Sequence, residues 1–422
     1  MSRLVWLLTL IRDFFVVPFI FVSLRSNKKV VFGAWGGNSF SDNPKYFMLY
    51  VLKHTDYCCV WIGKKTLKPQ IEELKKRGQH VLFAQKGTFR ACYHLLTAGT
   101  YVFNINWRSE LTHYPISSKV RLLNLWHGIP FKKIGEQQYV CRPKYVCRPK
   151  IEKPVSRVRR VVRDMLKKWS RLIYNQSSWT SVSSDFMGQT LEQSFPGRFS
   201  RSRTVYAGLP RNDFLIQEQT NQSLIHSLKR KYAALLNLPE DKRWYLYLPT
   251  FRYGEKDVFS FSNMADKAEL NELLRSQHAV IVEKQHPRVL NMLKIQGGCS
   301  GNIHMLSVED GSKIDLQELL LVSDRLITDY SSCFFDFGLL HRPVIHFAYD
   351  YDSYVYQDTG VLYDLKAVCA GPVVDTEEEL LDALAATDET LLRGIGPQFA
   401  ETVQYEKGHA SEALFKRLFE GK

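Results

Sequence analysis

Short apolar runs, each closing on a polar or glycine-bearing turn and most followed by a helical pattern, recur from residue 29 to residue 347. A few consecutive apolar residues are too short for a buried helix. They suit a strand covered on both faces, and such strands belong to parallel sheets flanked by helices. In the first half the pattern predicts strands at 29–33, 58–62, 80–83, 100–104 and 120–126, with helices at 43–54 and 71–77. The second half opens after Gly208-Leu-Pro-Arg-Asn-Asp213. It predicts strands at 243–248, 278–282, 303–306, 326–328 and 344–347, and helices at 224–235, 266–276 and 331–340. A further helix is expected behind Asp315, with Glu318 three residues on as in a capping box. Residues 376–422 read as helices.

Each half is therefore an α/β doubly wound unit, and 422 residues suit two or three domains. The expected division is an apolar N-terminal segment 1–27, a first Rossmann-like domain 28–213, a second at 214–395, and a helical tail 396–422. Two similar domains of this kind suggest a two-lobed enzyme working in its cleft.

Charge narrows the partners. Lys and Arg number 57 against 43 Asp and Glu, a formal charge of +14, which favours phosphates, nucleic acid or an acidic membrane surface. The eight cysteines contain no CxxC pair, so they predict neither a zinc ribbon nor a disulfide scaffold, and reduced thiols in a cytosolic setting are expected. Residues 4–24 are apolar and long enough to span a bilayer, but Arg12 and Asp13 sit near their middle. An interfacial or docking segment is expected there, with a buried helix or a true span as alternatives. A second membrane candidate is 150–173. Nine Lys and Arg surround Val158, Val161, Val162, Met165, Leu166, Trp169, Leu172 and Ile173, whose spacing forms one apolar helical face. Before it, Tyr139-Val-Cys-Arg-Pro-Lys144 is repeated at once as 145–150, a local duplication with no assignable chemistry.

In parallel sheets ligands bind beyond the carboxyl ends of the strands, and the polar punctuation falls there. Trp126-His127-Gly128 ends a first-half strand, and an imidazole at that tip can take a proton from a hydroxyl. Lys132 and Lys133 follow and could hold an anion; a structural histidine beside two solvated lysines is the plainer alternative. In the second half, Lys284-Gln285-His286-Pro287 ends a strand, and Arg252 follows Pro249-Thr250. Lys284, His286 and Arg252 are candidates to stabilise phosphate charge. Thr328-Asp329-Tyr330-Ser331-Ser332 runs from a strand into a helix start, which favours a phosphate, or simple serine capping. Asp336 is an unusual acid in an apolar run. Asp350-Tyr351-Asp352 matches a DxD metal pattern, but three letters recur by chance and no metal is expected. No P-loop, HExxH or GxSxG is present.

Taken in order, 40–45, Trp126–Gly135, Gly208–Asp213, Pro249–Arg252, His286-Pro287, Leu326–Ser332 with Phe335-Asp-Phe337, and Gly371–Val374 resemble the CDP-glycerol glycerophosphotransferase family. That family comprises the teichoic acid primases and polymerases and related capsule polymerases. The resemblance covers about residues 30–415. It implies a GT-B fold with the donor held mainly by the second domain. It also implies phosphotransfer from CDP-glycerol, or CDP-ribitol, to a hydroxyl of a lipid-linked or polymeric acceptor, with release of CMP. It places His127 as base and His286 near the donor pyrophosphate. Thr250, Arg252, Lys284, Thr328, Asp329, Ser331, Ser332 and Asp336 fall on the donor side, and Asp42, Asn43, Gly128, Lys132 and Lys133 on the acceptor side. It implies work at the cytoplasmic face of the membrane as a peripheral protein, with no nucleic acid partner. Lys and Arg can neutralise a diphosphate without a divalent ion, so no cofactor is expected. A GT-B sugar transferase and a non-catalytic polyanion-binding protein are the competing readings.

Overall fold

The computed structural model describes residues 24–112, 119–140, 178–250, 252, 258–285, 289–290, 297–357 and 360–421. The segment before residue 24, the duplicated stretch beyond 140, the basic helix 150–173 and His286 lie outside the described residues. The chain divides into two units. The first holds the described residues up to His127, those from 178 to Arg211, and those from His409 onward. The second holds those from Gly128 to 140 and Asn212–Gly408.

In the first unit, β1 (Ser26–Phe32), β2 (Cys58–Gly63), β3 (Val81–Gln85), β4 (Ala98–Phe103) and β5 (Arg121–Asn124) form an all-parallel sheet in the order β3-β2-β1-β4-β5. Helices α1 (Asp42–His54), α2 (Lys68–Lys76) and α3 (Phe89–Thr97) make the crossovers. β4 is buried along its whole length, as the continuous apolar run requires. A parallel pair, β6 (Thr180–Val182) and β7 (Thr204–Tyr206), extends this unit through a bridge between Leu123 and Trp179.

The second unit repeats the plan. β8 (Arg243–Leu248), β9 (Ala279–Glu283), β10 (Gly298–Ser300), β11 (Ile303–Met305), β12 (Arg325–Thr328), β13 (Val344–Phe347) and β14 (Val373–Val374) lie in the order β10-β11-β9-β8-β12-β13-β14. Only β10 is antiparallel. In the first sheet β1 lies between β2 and β4, and in the second β8 lies between β9 and β12, the fourth strand of that unit once the antiparallel β10 is set aside; this is the Rossmann order. The crevice where that order reverses is where such sheets take ligands.

The Gly208–Asp213 motif runs into a helix: Pro210 opens Pro210–Glu218, where a proline is tolerated because the first helical amide has no partner. Three expectations are corrected. The helix expected over 331–340 is only Cys333–Gly338. Residues 128–140 do not go with the first domain. Lys132 bridges Val361, the Lys133 amide donates to the Gly360 carbonyl at 3.1 Å, and Phe131 packs on Phe334. Finally, the tail is not a separate domain. Residues up to Gly408 stay with the second unit, and Ala410–Phe415 returns to the first, where Leu414, Phe415 and Leu418 join the core of Val30, Phe32, Phe47 and Trp61.

Candidate functional site

In the first unit the loop after β5 carries the predicted base. Trp126 has φ +53 and Gly128 φ +131, so the chain turns sharply around His127. Two buried residues at the start of α1 hold this turn. The Asn43 side-chain amide donates to the carbonyls of Leu125 and Trp126, each at 3.1 Å, and its oxygen accepts the Arg211 amide at 3.0 Å. Asp42, itself at φ +66, accepts the Arg211 guanidinium at 3.0 Å and the Asn104 amide at 2.8 Å. Arg211 also donates to the His127 carbonyl at 2.9 Å. The His127 ring is half-buried, 4.5 Å from the Trp126 ring and 5.4 Å from Trp35.

This geometry corrects the expectation that Asp42 and Asn43 touch the acceptor. Their polar atoms face inward and are committed to Arg211, Asn104 and the 125–126 backbone, so they position the turn. Behind them Glu110 is fully buried and accepts the amides of Asn104, Ile105 and Asn106. Burial raises its carboxyl to about 7, against the pull of those amides.

In the second unit the crevice lies between the ends of β8 and β12. Asp329, fully buried at the end of β12, collects the amides of Thr250, Tyr330 and Ser331 and pairs with the Arg252 guanidinium. Arg252 also grips Asp350 in a fork, Nε and Nη2 each donating at 2.8 Å, and donates to the Thr250 carbonyl. The rings of Tyr330, Tyr349 and Tyr354 lie 5.2–5.7 Å from the guanidinium. Burial works against both charges. The Asp329 and Asp350 carboxylates still hold Arg252 charged well above its ordinary range, and Arg252 with the Thr250 amide holds Asp329 below the usual carboxylate range.

Three of the residues expected on the donor side have partners within the protein. Arg252 is 1% exposed, and its fork faces two carboxylates. Asp329 is saturated by amides and guanidinium. The Thr328 hydroxyl donates to the Leu248 carbonyl at 2.7 Å, tying β12 to β8. These residues build the crevice wall. The Asp350 carboxylate, the first letter of the DxD pattern, is taken by Arg252 and by the Tyr330 hydroxyl at 2.9 Å. Among the described residues no cluster of His, Cys, Asp or Glu is arranged to hold a metal ion.

What stays available is different. Ser331 and Ser332 are half-buried, and neither hydroxyl caps the helix Cys333–Gly338; the Ser331 hydroxyl accepts the Cys333 thiol at 3.3 Å. Lys284 follows β9, and no acid pairs with it among the described residues. Burial lowers its pKa, and it is close enough to Cys333 for the two to interact electrostatically. A partly desolvated ammonium without a counter-ion is a ready phosphate site. Asp336 is buried within its short helix. A cleft of about 600 Å³ beyond β13 and β14 is lined by Asp350, Asp352, Asp364, Asp375 and Glu379 against Lys366. That lining repels a pyrophosphate.

The structure thus links Asp42, Asn43 and His127 in one unit, and Thr250, Arg252, Thr328, Asp329 and Ser331 in the other. Gly128, Lys132 and Lys133 fall with the second unit. Sequence reasoning missed Arg211, Asn104 and Glu110 in the first unit and Asp350 as an anchor in the second. Arg211 stood inside the 208–213 motif. It also missed His346, fully buried beneath Asp329, whose Nδ1 donates to the Asp329 carbonyl at 3.1 Å while Nε2 accepts the Ala370 amide at 3.1 Å.

Two Rossmann-order units in one chain define a GT-B-like fold. The chain belongs to the CDP-glycerol:poly(glycerophosphate) glycerophosphotransferase family, whose model matches residues 16–420. It is similar to a teichoic acid glycerol-phosphate transferase of Staphylococcus aureus, 29% identical over 97% of this chain and 98% of the relative. A teichoic acid poly(glycerol phosphate) polymerase of Bacillus subtilis is 26% identical over 93% of this chain, which spans 48% of that protein. A poly(ribitol-phosphate) polymerase of Bacillus spizizenii is 32% identical, but over only 43% of this chain and 28% of its own length. Among solved structures, the wall teichoic acid polymerase TagF matches with a TM-score of 0.70 at 22% identity, covering 100% of this chain and 98% of that one, a likeness of fold.

Proposed function

We propose that this chain transfers glycerol phosphate from CDP-glycerol to a hydroxyl of a lipid-linked or polymeric acceptor in teichoic acid-like polymer synthesis. What carries the reading is coverage: the family model and the glycerol-phosphate transferase of Staphylococcus aureus both run through the two units, whereas the ribitol-phosphate polymerases match about half of the chain. The acceptor oxygen attacks the phosphorus next to glycerol, the bond from that phosphorus to the bridging oxygen breaks, and CMP leaves with the electron pair. His127, held by the Asn43–Arg211–Asp42 latch, takes the hydroxyl proton. Lys284, with Ser331 and Ser332, meets the pyrophosphate charge, and His286 acts beside it. These lysine and hydroxyl donors suffice without a metal ion. The chain works as a peripheral protein at the cytoplasmic membrane face. No helix among the described residues is long and apolar enough to cross a membrane.

The test incubates the protein with CDP-glycerol or CDP-ribitol and a lipid-linked acceptor, and follows CMP and the mass of the product. CMP release with CDP-glycerol, lost in His127→Ala, is expected. Lys284→Ala is expected to weaken donor binding by about tenfold or more, the scale of one charge-assisted hydrogen bond. No CMP with either donor, together with thermal stabilisation by UDP- or GDP-sugars alone, sinks the proposal.

A further inference from the structure

A second basic site lies in the first unit, built by residues other than those that hold the His127 turn. A cleft of about 520 Å³ opens at the ends of β2 and β3 and the start of α3. Lys64, Lys65 and Lys86 stand around it, and Ala91, Leu95 and Leu111 form its apolar wall. Lys64 and Lys65 are exposed, and no carboxylate pairs with either among the described residues. Lys86 leans over the cleft with its ammonium anchored on the carbonyls of Gly36, at 3.1 Å, and Ser109. Its charge is disfavoured by burial and further by the nearby Lys64, while Glu110 behind it opposes that. Like charges gathered at a concave surface store repulsion that a bound anion relieves.

The surroundings say which kind of anion. Phe89 and Tyr93 are one helical turn apart on α3, 97% and 61% exposed. Large aromatics this exposed suit a membrane interface. The far end of α3, about 13 Å away by helix rise, meets the first described residues. There Leu24 is 92% exposed, and Arg25 donates to the carbonyls of Leu95 and Ala98, each at 2.8 Å. A soluble anion needs only the lysines. The lysine cleft, the aromatic pair and the exposed Leu24 lie along one helix, and together they match a charged headgroup with its apolar tail.

We propose that this cleft binds the phosphate of a membrane lipid, with Phe89 and Tyr93 entering the bilayer interface. The inference deepens the proposed function and rests on it in one respect, that the acceptor is lipid-borne. It then gives that lipid a phosphate grip separate from the donor crevice.

The experiment floats the full chain with phosphatidylcholine vesicles containing phosphatidic acid, or the same surface charge supplied by oleate. The wild type is expected to prefer phosphatidic acid. Lys64→Ala with Lys65→Ala is expected to lose that preference and bind about thirtyfold more weakly, at roughly the contribution of two surface lysines. Phe89→Ser with Tyr93→Ser is expected to weaken binding to both vesicles. Undiminished binding of phosphatidic acid by the lysine variant overturns the proposal. So does calorimetric binding of inorganic pyrophosphate that the lysine variant loses while its vesicle binding stays intact, since the ligand is then a soluble phosphate. Thermal stabilisation by CDP-glycerol is measured on the same proteins and is expected to be unchanged. Its absence in the wild type counts against the transferase reading and leaves the vesicle result to judge the cleft.

Discussion

Arg211 is buried against Asp42 at the start of α1 and Arg252 against Asp329 at the end of β12, yet the surrounding hydrogen bonds run in opposite senses. In the first unit donors dominate: Asn43 and Arg211 reach out to the carbonyls of Leu125, Trp126 and His127. The turn has its carbonyls held down, and the imidazole is the group left to act. In the second unit an acceptor dominates: Asp329 gathers the amides of Thr250, Tyr330 and Ser331. Those amides are spent on a carboxylate and cannot be offered to a phosphate. The comparison teaches that one kind of ion pair serves two ends: in the first unit it leaves an imidazole at the turn, and in the second it ties the amides of Thr250, Tyr330 and Ser331 to a carboxylate. Arg252 neutralises that buried aspartate.

The largest test of this contrast is Arg252→Met. It leaves Asp329 buried without its counter-charge and Asp350 without its fork, and is expected to cost about 3–5 kcal/mol in urea unfolding. A loss below about 1 kcal/mol would remove the latch from the account. Arg211→Met is expected at the lower end, about 3 kcal/mol, because the Asn43 bonds to Leu125 and Trp126 survive. Asn43→Ala is smaller again, about 1–3 kcal/mol from the carbonyls left unpaired. It should slow CMP release while leaving stabilisation by CDP-glycerol unchanged; an equal loss of both would show that the two units do not divide the labour.

The finest test is pH. The Glu110 carboxyl is raised to about 7 from an ordinary value near 4.5, so the folded chain keeps a proton that the unfolded chain gives up. That contribution is complete below about 4.5 and is lost as pH rises through about 7. His346 has the opposite sign. Burial lowers it to about 4, so its contribution is present above the ordinary histidine value and fades as pH falls towards 4. Melting temperatures of Glu110→Gln relative to the wild type should therefore rise between pH 4.5 and 7. A difference that stays flat over that window contradicts the burial argument.

The strands and their polar ends were legible because period and punctuation are local properties. Trp126-His127-Gly128 and Thr328–Ser332 could be placed at strand ends from the residues alone. The direction in which each side chain points was not legible. Arg252 and Asp329 belong to separate motifs, and it is the parallel pairing of β8 with β12 that brings them to face each other. The order itself is invisible in a parallel sheet, where no hairpin turn ties neighbours together. The same limit hid residues 128–140 and 409–422, whose apolar positions announce burial without naming the sheet they cover.

The return of Ala410–Phe415 has a consequence for the order of events during synthesis. Leu414, Phe415 and Leu418 complete a core whose other members, from Val30 to Leu125, are made hundreds of residues earlier. While the second unit emerges from the ribosome, the flank of α1 stays bare, and the later-made half is the first able to close. A chain cut short ahead of Ala410 would carry that bare flank permanently, an invitation to chaperones and proteases.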